Sequence, residues 1–559
     1  MTKAQSLWNH GVKIGAIGGV SVLIIALVGM IESFGKRDII SGILPMGIAM
    51  ALIICTLVAY IAANKTPICE KSIKFANAVI SGFVTSGFLA LLVAIGRSFN
   101  IRDMFVGASP ALYKALTAGI AGAGGIFLIL AVGLICGIFA GILIILNDLP
   151  RKLIINALAT IFVLGLLQEL IIPIFKSWDF GVTNYLGKLF YTQNGLTIIG
   201  AVLAAVIYCI ISLLWKANQD TIKTTYTDLP KGTRKKVKTF GFFVLAVFLI
   251  VLPQFLGLFL SEVLTIVGLY ILLGLGLNIV VGYAGLLDLG YVAFFAIGSY
   301  VVAILTSPEI FSFGFNFWQA LPIAVILGIT AGVMLGIPVL KMRGDYLAIA
   351  TLGFGEIIRI LVLSDFLKPW LGGAQGIGAI PNPNFMGFQM VKPQHIYYLI
   401  LAGCMLVVFI SIRLKNSRLG RAWMAMREDE DVAQAMGINL VATKLFAFAT
   451  GAGFSALSGA IFASKIGSVY PHSFNLFISI NVVCLIIIGG IGSLPGVVVG
   501  AAVLMGLPEL LREFAEYRMF VYGAALVAMM LLRPEGLWPE ARHKIELHSD
   551  DETQTQTAA

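Results

Sequence analysis

Long apolar runs separated by short polar turns make up most of this 559-residue chain. A helix that crosses the hydrocarbon core of a bilayer needs about 20 apolar residues. Runs of suitable character lie near residues 12–32, 39–63, 75–96, 117–146, 153–174, 196–215, 240–260, 263–281, 291–306, 318–340, 346–363, 396–412, 442–464, 476–491, 494–511 and 519–532. The pattern predicts an all-α polytopic integral membrane protein with about 16 transmembrane helices, six before residue 216 and ten after residue 239.

The composition agrees with this pattern. Hydrophobic residues make up 59 % of the chain and charged residues 12 %, whereas a soluble domain is about 45–50 % apolar and about 25 % charged. A water-soluble fold is therefore excluded. The first apolar run, Val12 to Met30, is longer than the apolar part of a signal peptide and no small-residue cleavage site follows it, so we expect a retained first span.

One polar, basic stretch with a Pro-Lys-Gly sequence divides the chain. It predicts an N-terminal transmembrane bundle of unassigned role at residues 1–215, a cytoplasmic linker at 216–239 and a second bundle at 240–540. Residues 541–559 are polar and cannot form a core, so we expect a disordered tail.

The net charge of +10 reports membrane topology. If the N-terminus is cytoplasmic, the first six spans place fourteen Lys and Arg residues on the cytoplasmic side and seven on the other, as the positive-inside rule predicts. Continued alternation places the C-terminus in the cytoplasm and the loop Ser364–His395 outside. The basic excess lies between apolar runs and does not indicate nucleic-acid binding; the linker also suits anionic lipid head groups.

Motifs for catalysis are missing from the sequence. There is no phosphate-binding G-x-x-x-x-G-K-[ST] motif, no Cys-x-x-Cys pair among six cysteines, and no His or Cys cluster with metal-ligand spacing. We therefore expect no enzyme activity and no cofactor bound by this chain. If ATP drives transport, partner subunits must hydrolyse it.

The hydrophilic segment from Arg413 to Asn439, enclosed by two apolar spans, is the most informative polar stretch. Good helix formers from Arg421 predict a short surface helix, with Gly437 suited to a helix C-terminus and Asn439 to the N-cap of the next helix. Its predicted apolar edge consists of Trp423, Met426, Ala433 and Met436. Such a helix either docks into a groove of a cytosolic partner or lies on the membrane surface.

The second bundle, which contains this segment, resembles the permease subunits of branched-chain amino acid ABC transporters, specifically the LivM type. The N-terminal membrane bundle is additional to this resemblance. The resemblance begins with NSRLGRAWMAMREDEDVAQAMGINLVATKLFAFATGAGFSALSGA (Asn416–Ala460). Further matching stretches are LNIVVGYAGLLDLGYVAFFAIGSY (Leu277–Tyr300), RGDYLAIATLGFGEIIRI (Arg343–Ile360), GGAQGI (Gly372–Ile377), GGIGSLPGVVVGA (Gly489–Ala501) and RPEGLWP (Arg533–Pro539).

The resemblance implies a bacterial inner-membrane importer. In such a complex a second, LivH-like permease, two cytosolic ABC ATPase subunits and a periplasmic amino-acid-binding protein are expected partners, within the lipid bilayer. An EAA-x-x-x-G loop of the permease fits the ATPase, and here Asp431 replaces Glu and Val432 replaces Ala. The implied coupling residues are Arg418, Gly420, Arg421, Arg427, Glu428, Asp429, Glu430, Asp431, Ala433 and Gly437.

Polar residues inside apolar runs are candidates for the substrate pathway, because a charge inside a membrane costs about 2.5–3.5 kcal/mol even on lenient scales. The candidates are Asn278, Asp288, Glu356 and Asn481. Each has a structural alternative: Asp288 can cap a helix, the asparagines can hydrogen-bond between helices, and Glu356 can pair with Arg359. The outward loop Trp370–Pro383 either meets the binding protein or forms a turn region.

Two other classes of function stay open at this point. A stand-alone ion-coupled secondary transporter would use Asp288 or Glu356 as a titrating group. A membrane scaffold would need none of the pathway candidates. The sequence and its resemblance favour a permease that imports branched-chain or related hydrophobic amino acids.

Overall fold

The computed structural model describes residues 3–35, 37–66, 70–105, 107–177, 187–192, 194–228, 231–310, 313–340, 342, 344–385, 387–510 and 517–539. The chain divides into two compact units between Leu245 and Ala246. The predicted tail, residues 541–559, lies outside the described residues.

The first unit is built almost entirely from helices. They are α1 (Lys3–Leu27), α2 (Met30–Phe34), α3 (Met46–Asn64), α4 (Lys71–Ser98), α5 (Pro110–Leu116), α6 (Ala123–Ile145), α7 (Asp148–Leu166), α8 (Gln168–Ser177), α9 (Ile198–Asp228) and the start of α10 (Lys231–Leu277). A 3₁₀ turn covers Ile101–Asp103. Strands β1 (Asp38–Ile40) and β2 (Leu44–Pro45) form an antiparallel hairpin.

Helix α4 is the centre of this unit and packs against α1, α3 and α6. Glycines permit the close contact with α6: a Cβ atom placed on Gly137 would lie 2.7 Å from the Cα atom of Val79. Small residues bring helix backbones together in membranes, where dispersion contacts replace the hydrophobic effect between helices.

The basic linker is helical for most of its length. The sequence predicts a helix end near residue 215, but α9 continues to Asp228 and α10 begins at Lys231. No glycine or proline occurs between Lys216 and Leu229, so nothing in the sequence terminates the helix when the composition turns polar. The predicted span 196–215 agrees with the membrane-length apolar segment Ile198–Lys216, and the helix continues beyond this span because polarity alone does not end a helix.

The second unit contains the rest of α10, a π-helical turn at Asn278–Tyr283, α11 (Val292–Thr306), α12 (Phe317–Val339), α13 (Asp345–Leu363), α14 (Lys368–Leu371), α15 (Pro393–Lys415), α16 (Arg418–Glu428), α17 (Glu430–Ala435), α18 (Leu440–Ile466), α19 (Leu476–Gly489), α20 (Leu494–Ala501), α21 (Leu507–Leu510) and α22 (Arg518–Leu532). A second π-helical turn, Ala502–Gly506, joins α20 to α21, and 3₁₀ turns cover Gly373–Gln375 and Pro471–Ser473. Strands β3 (Asn384–Phe385) and β4 (Phe388–Gln389) are antiparallel.

The all-α membrane class is confirmed. Within the described residues, 12 helices are long and apolar enough to cross a bilayer, and three shorter apolar helices coincide with the predicted spans at 291–306, 494–511 and 519–532. The predicted spans 240–260 and 263–281 lie together in the 41-residue segment Phe243–Tyr283. That segment breaks at Gly257, whose φ of 74° is not helical.

Helix α18 is the central element of the second unit and packs against α11 and α12. It carries a run of small residues that are buried: Gly451, Ala452, Gly453, Ser455, Ala456, Ser458, Gly459 and Ala460. A Cβ atom on Gly459 would collide with the carbonyl oxygen of Phe295, and one on Gly298 with that of Ala456. The small residues thus allow backbone contact between α18 and α11.

We expect Gly459→Ala to lower the stability of the folded protein by about 1–3 kcal/mol, because overpacking displaces the two backbones. Thermal unfolding of the purified protein in detergent measures the effect. The matched control is Gly353→Ala in α13, where a Cβ atom would meet nothing within 4 Å and alanine favours the helix. Equal melting temperatures for the two variants would contradict the packing argument.

Candidate functional site

The segment Arg418–Gly437, named the coupling segment for its resemblance to a coupling loop, forms two helices rather than one. Helix α16 begins at Arg418, where the Ser417 hydroxyl accepts a hydrogen bond from the Gly420 amide at 3.3 Å. It ends at Asp429, whose backbone is extended. The Asp429 carboxylate then accepts hydrogen bonds from the amides of Asp431 (2.9 Å) and Val432 (3.0 Å) and caps α17. The predicted single helix from Arg421 is corrected, because Asp429 competes for the backbone and starts a new helix.

The predicted end of this segment is confirmed. Gly437 has a φ of 86°, a conformation that favours glycine, and the Ile438 amide donates to the Ala433 carbonyl at 3.1 Å. The Asn439 side chain accepts a hydrogen bond from the Ala442 amide at 3.1 Å and caps α18. The chain therefore turns sharply from α17 into α18, which fixes the segment to the central helix.

One face of the segment is buried in the permease itself. Trp423 is fully buried and its indole Nε1 donates to the Thr443 carbonyl at 2.8 Å. Met426, Ala433 and Gly420 are buried as well. Three of the four residues of the predicted apolar edge thus hold the segment on its own unit. Met436, the fourth, is 80 % exposed.

The opposite face is exposed and carries charge of both signs. Its exposed members are Arg418, Arg421, Glu428, Asp429, Asp431, Val432, Met436 and Gly437. The apolar side chains of Val432 and Met436 are next to the acidic residues Asp429 and Asp431 in α17 and its cap. A face of this kind, apolar patches with a charged rim, is typical of protein–protein contacts.

Two charged residues at the junction of α16 and α17 connect the segment to other helices. The Arg427 guanidinium donates through Nη1 to the Gly282 carbonyl at 2.7 Å. Glu430 forms an ion pair with Lys444 of α18 at 2.9 Å, and the Lys444 side chain is only 4 % exposed. Removing one partner of a buried pair leaves an uncompensated charge at a cost of about 3–5 kcal/mol. The segment is therefore attached firmly at two points.

Gly282 belongs to the π-helical turn that ends the long helix α10. In this turn the Asn278 side chain is fully buried and accepts a hydrogen bond from the Gly492 amide at 2.9 Å. A Cβ atom on Gly285, whose φ is +72°, would lie 2.9 Å from Cγ of Arg427. The turn thus lies directly between the coupling segment and the glycine turn that follows α19.

Asp288 is fully buried in the connection between the π-helical turn and α11. Its carboxylate accepts a hydrogen bond from the Gly290 amide at 2.9 Å, and the Thr351 hydroxyl of α13 accepts one from the Leu289 amide at 3.0 Å. Helix α11 has Tyr291 at its N-cap position and no side-chain capping bond, so Asp288 does not cap this helix. The two hydrogen bonds instead fix the irregular backbone that joins two spans.

Glu356 and Arg359 form the predicted ion pair, with Nε and Nη2 of Arg359 both 2.8 Å from Oε2 of Glu356. Both side chains are about one-third exposed. They lie on α13, and Asn481 lies half-buried on α19. Within the described residues, no hydrogen bond or ion pair joins any two of the four pathway candidates.

The loop Trp370–Pro383, which the sequence predicts to face outward, is anchored to the ends of α11 and α18. Ile377 and Val469 exchange two backbone hydrogen bonds, of 3.0 and 2.8 Å. The Glu309 carboxylate accepts from the Gly378 amide at 2.6 Å, and the Ser307 hydroxyl donates to the Gly378 carbonyl at 2.7 Å. The loop is therefore fixed by backbone and side-chain hydrogen bonds, and its Trp370 side chain is half exposed.

Sequence reasoning misses several polar residues that fix the helices. A second ion pair, Lys465–Glu262, joins the far end of α18 to α10 at 2.6 Å, with the lysine side chain buried and the glutamate side chain exposed. The Ser479 hydroxyl accepts from the Val292 amide at 2.9 Å and fixes the start of α11. Lys444 could have been recognised from the sequence, since a lysine inside an apolar span is rare and requires a partner. The identity of that partner depends on the tertiary fold.

Comparison with known proteins supports the resemblance to transport permeases that the sequence indicated. Residues 259–530 match the family described as branched-chain amino acid transport system, permease component. The chain is 41 % identical over 311 residues to the high-affinity branched-chain amino acid transport system permease protein LivM of Salmonella typhimurium, covering 52 % of this chain and 72 % of the relative. It is 41 % identical over 309 residues to LivM of Escherichia coli K12, covering 51 % and 71 %.

A more distant relative is the permease protein LivH of Escherichia coli K12, 25 % identical over 288 residues, which cover 48 % of this chain and 90 % of LivH. No solved structure matches the chain. The matched residues contain the coupling segment, the π-helical turn and α18, and the resemblance read from the sequence is confirmed. The chain therefore belongs to the family of branched-chain amino acid transport permeases.

Proposed function

We propose that this chain is a membrane-spanning permease subunit of an ABC importer for branched-chain amino acids. Its relatives LivM and LivH are named as permeases of such transport systems. One observation carries the mechanism: the coupling segment touches the end of a spanning helix through Arg427 and Gly282. A displacement of that segment therefore reaches the membrane helices directly.

The exposed face of α16 and α17 is the proposed ATPase contact. Its inner face is held by Trp423 and Met426, and the acidic and apolar residues of the opposite face are exposed. One cytosolic ABC ATPase would bind this face, and another would bind a second, LivH-like permease. The placement of this face in the cytoplasm follows from the positive-inside topology, with both termini cytoplasmic and the bundle in the bacterial inner membrane.

Force transmission uses two attachments. Glu430 and Lys444 tie α17 to α18, while Arg427 ties α16 to the end of α10. When ATP closes the ATPase pair, both helices receive the motion, because packed helices move as rigid elements between discrete arrangements. A periplasmic amino-acid-binding protein would deliver the substrate near the ordered loop Trp370–Pro383.

We expect Asp431→Lys to reduce co-purification of the ATPase subunits about tenfold or more, because a reversed charge at an interface opposes docking. Pull-down of the ATPases with the tagged permease from detergent-solubilised membranes measures this. The matched control is Asp365→Lys, an exposed aspartate in the loop predicted outside. If Asp365→Lys lost the ATPases and Asp431→Lys retained them, the proposed orientation would be wrong.

We expect Arg427→Met to lower the number of substrate molecules imported per ATP about fivefold or more, the scale of a typical allosteric coupling energy. Methionine keeps the apolar stem beside Gly285 but cannot donate to the Gly282 carbonyl. Uptake and phosphate release are measured together in proteoliposomes. The control is Arg413→Met on α15, which removes an exposed guanidinium that lies over the Phe409 ring. Equal coupling ratios for both variants would remove Arg427 from the transmission route.

Reconstituted alone, the chain is expected to accumulate no radiolabelled leucine when a proton or sodium gradient is imposed. In the proposed function this chain provides the membrane pathway, whereas partner subunits hydrolyse ATP. Adding the ATPases, the second permease and the binding protein should start ATP-dependent uptake. Gradient-driven accumulation by the chain alone would instead support the secondary-transporter alternative.

A further inference from the structure

The π-helical turn Asn278–Tyr283 at the end of α10 departs from the hydrogen-bond pattern of the helix before it. The Ala284 amide donates to the Ile279 carbonyl at 3.1 Å, and Gly285 follows with a φ of +72°. Short π-helical turns occur frequently at functional sites. The contacts of this turn therefore bear on how the permease works.

Two basic residues hold the turn from the side of the coupling segment. Arg427, near the end of α16, donates to the Gly282 carbonyl at 2.7 Å. Lys415, the last residue of α15, has its Nζ atom over the Tyr283 ring, 5.3 Å from the ring centre. Only two residues separate Lys415 from the start of α16 at Arg418. Helix α16 is therefore tied to the same turn near both of its ends.

The contact between Lys415 and Tyr283 has the geometry of a cation–π interaction, in which a ring face attracts an ammonium group within about 6 Å. Tyr283 is only 1 % exposed and Lys415 is half-buried, and desolvation strengthens such contacts. The same helix end offers a comparison. Arg413 lies over the Phe409 ring, but both of these residues belong to α15 and both are exposed. Of the two contacts, it is that of Lys415 that joins separate elements.

On its other side the π-helical turn is bonded to the chain that follows α19. The Gly492 amide donates to the Asn278 side chain at 2.9 Å. The end of α19 also receives the segment Arg533–Pro539, whose Trp538 amide donates to the Gly489 carbonyl at 2.9 Å. A displacement of the π-helical turn therefore reaches α19 and the segment that follows α22.

A helix held at one point can pivot about that point, whereas a helix held near both ends carries the attached turn with it. Coupling between distant sites travels through such bonded, rigid elements. We propose that Lys415 is a positioning residue for transport: with Arg427 it holds α16 on the π-helical turn, which passes the motion of the coupling segment to α10 and α19. The inference deepens the proposed function and rests on it. In this role Lys415 acts through the Tyr283 ring.

The test uses the complete transporter in proteoliposomes, with leucine uptake and phosphate release measured together. We expect Lys415→Met to lower the number of leucine molecules imported per ATP about fivefold or more, because methionine keeps an apolar stem but carries no charge. Lys415→Arg should restore roughly half of the wild-type ratio or more, since a guanidinium also binds a ring face. A loss of folded complex lowers uptake and hydrolysis together and leaves this ratio unchanged.

Arg413→Met is the matched control, because it removes the neighbouring cation–π contact without detaching α15 from another element. It should keep the wild-type ratio. Tyr283→Leu removes the ring instead of the cation, and combining it with Lys415→Met should lower the ratio no further than Tyr283→Leu does alone. This double-mutant cycle separates the contact from independent effects of the two residues.

A wild-type ratio in Lys415→Met would overturn the inference, as would a ratio in Lys415→Arg as low as that in Lys415→Met. An equal fall in Arg413→Met would assign the effect to basic charge at the end of α15 and overturn it too, and so would independent effects in the double-mutant cycle. If the wild-type complex shows no ATP-driven uptake, the proposed function fails. Normal wild-type uptake together with an unaffected Lys415→Met variant rejects this inference alone.

Discussion

Backbone contact around one helix is the constraint on which the second unit depends. Helix α18 carries glycine, alanine and serine where it faces α11 and α12, so the backbones of these helices come into direct contact. Serine and tyrosine hydroxyls then bond across the contact, as in Ser299 to the Gly459 carbonyl at 2.9 Å. A helix packed this closely cannot bend independently, so it moves with its neighbours.

Ion pairs hold both ends of this helix. Lys444 pairs with Glu430 at one end and Lys465 with Glu262 at the other. The first links α18 to the coupling segment and the second links it to the helix that continues into the π-helical turn. Since Arg427 contacts that turn as well, the coupling segment, α18 and α10 are each bonded to the other two. Connected in this way, the three elements suit the proposed function, in which partner subunits displace the coupling segment.

Much of the protein is readable from its sequence because a bilayer imposes a simple rule. Every backbone polar group must be satisfied within the span, so apolar length predicts helices. The predicted spans coincide with helices in the structure. Gly437 adopts the left-handed conformation after α17, and the Asn439 side chain caps α18, as predicted. The single helix predicted from Arg421 was wrong, because the Asp429 side chain competes for backbone amides and starts a second helix.

The membrane class, the charged segment between two spans and the Glu356–Arg359 pair can be read from the chain, since each follows from residues that are close together in sequence. The inward position of Trp423, the hydrogen bond from Arg427 to Gly282 and the pairing of Lys444 with Glu430 are set by the folded chain. These contacts depend on how helices distant in sequence pack against one another, and hydropathy records the presence of a helix but not the direction in which each side chain points.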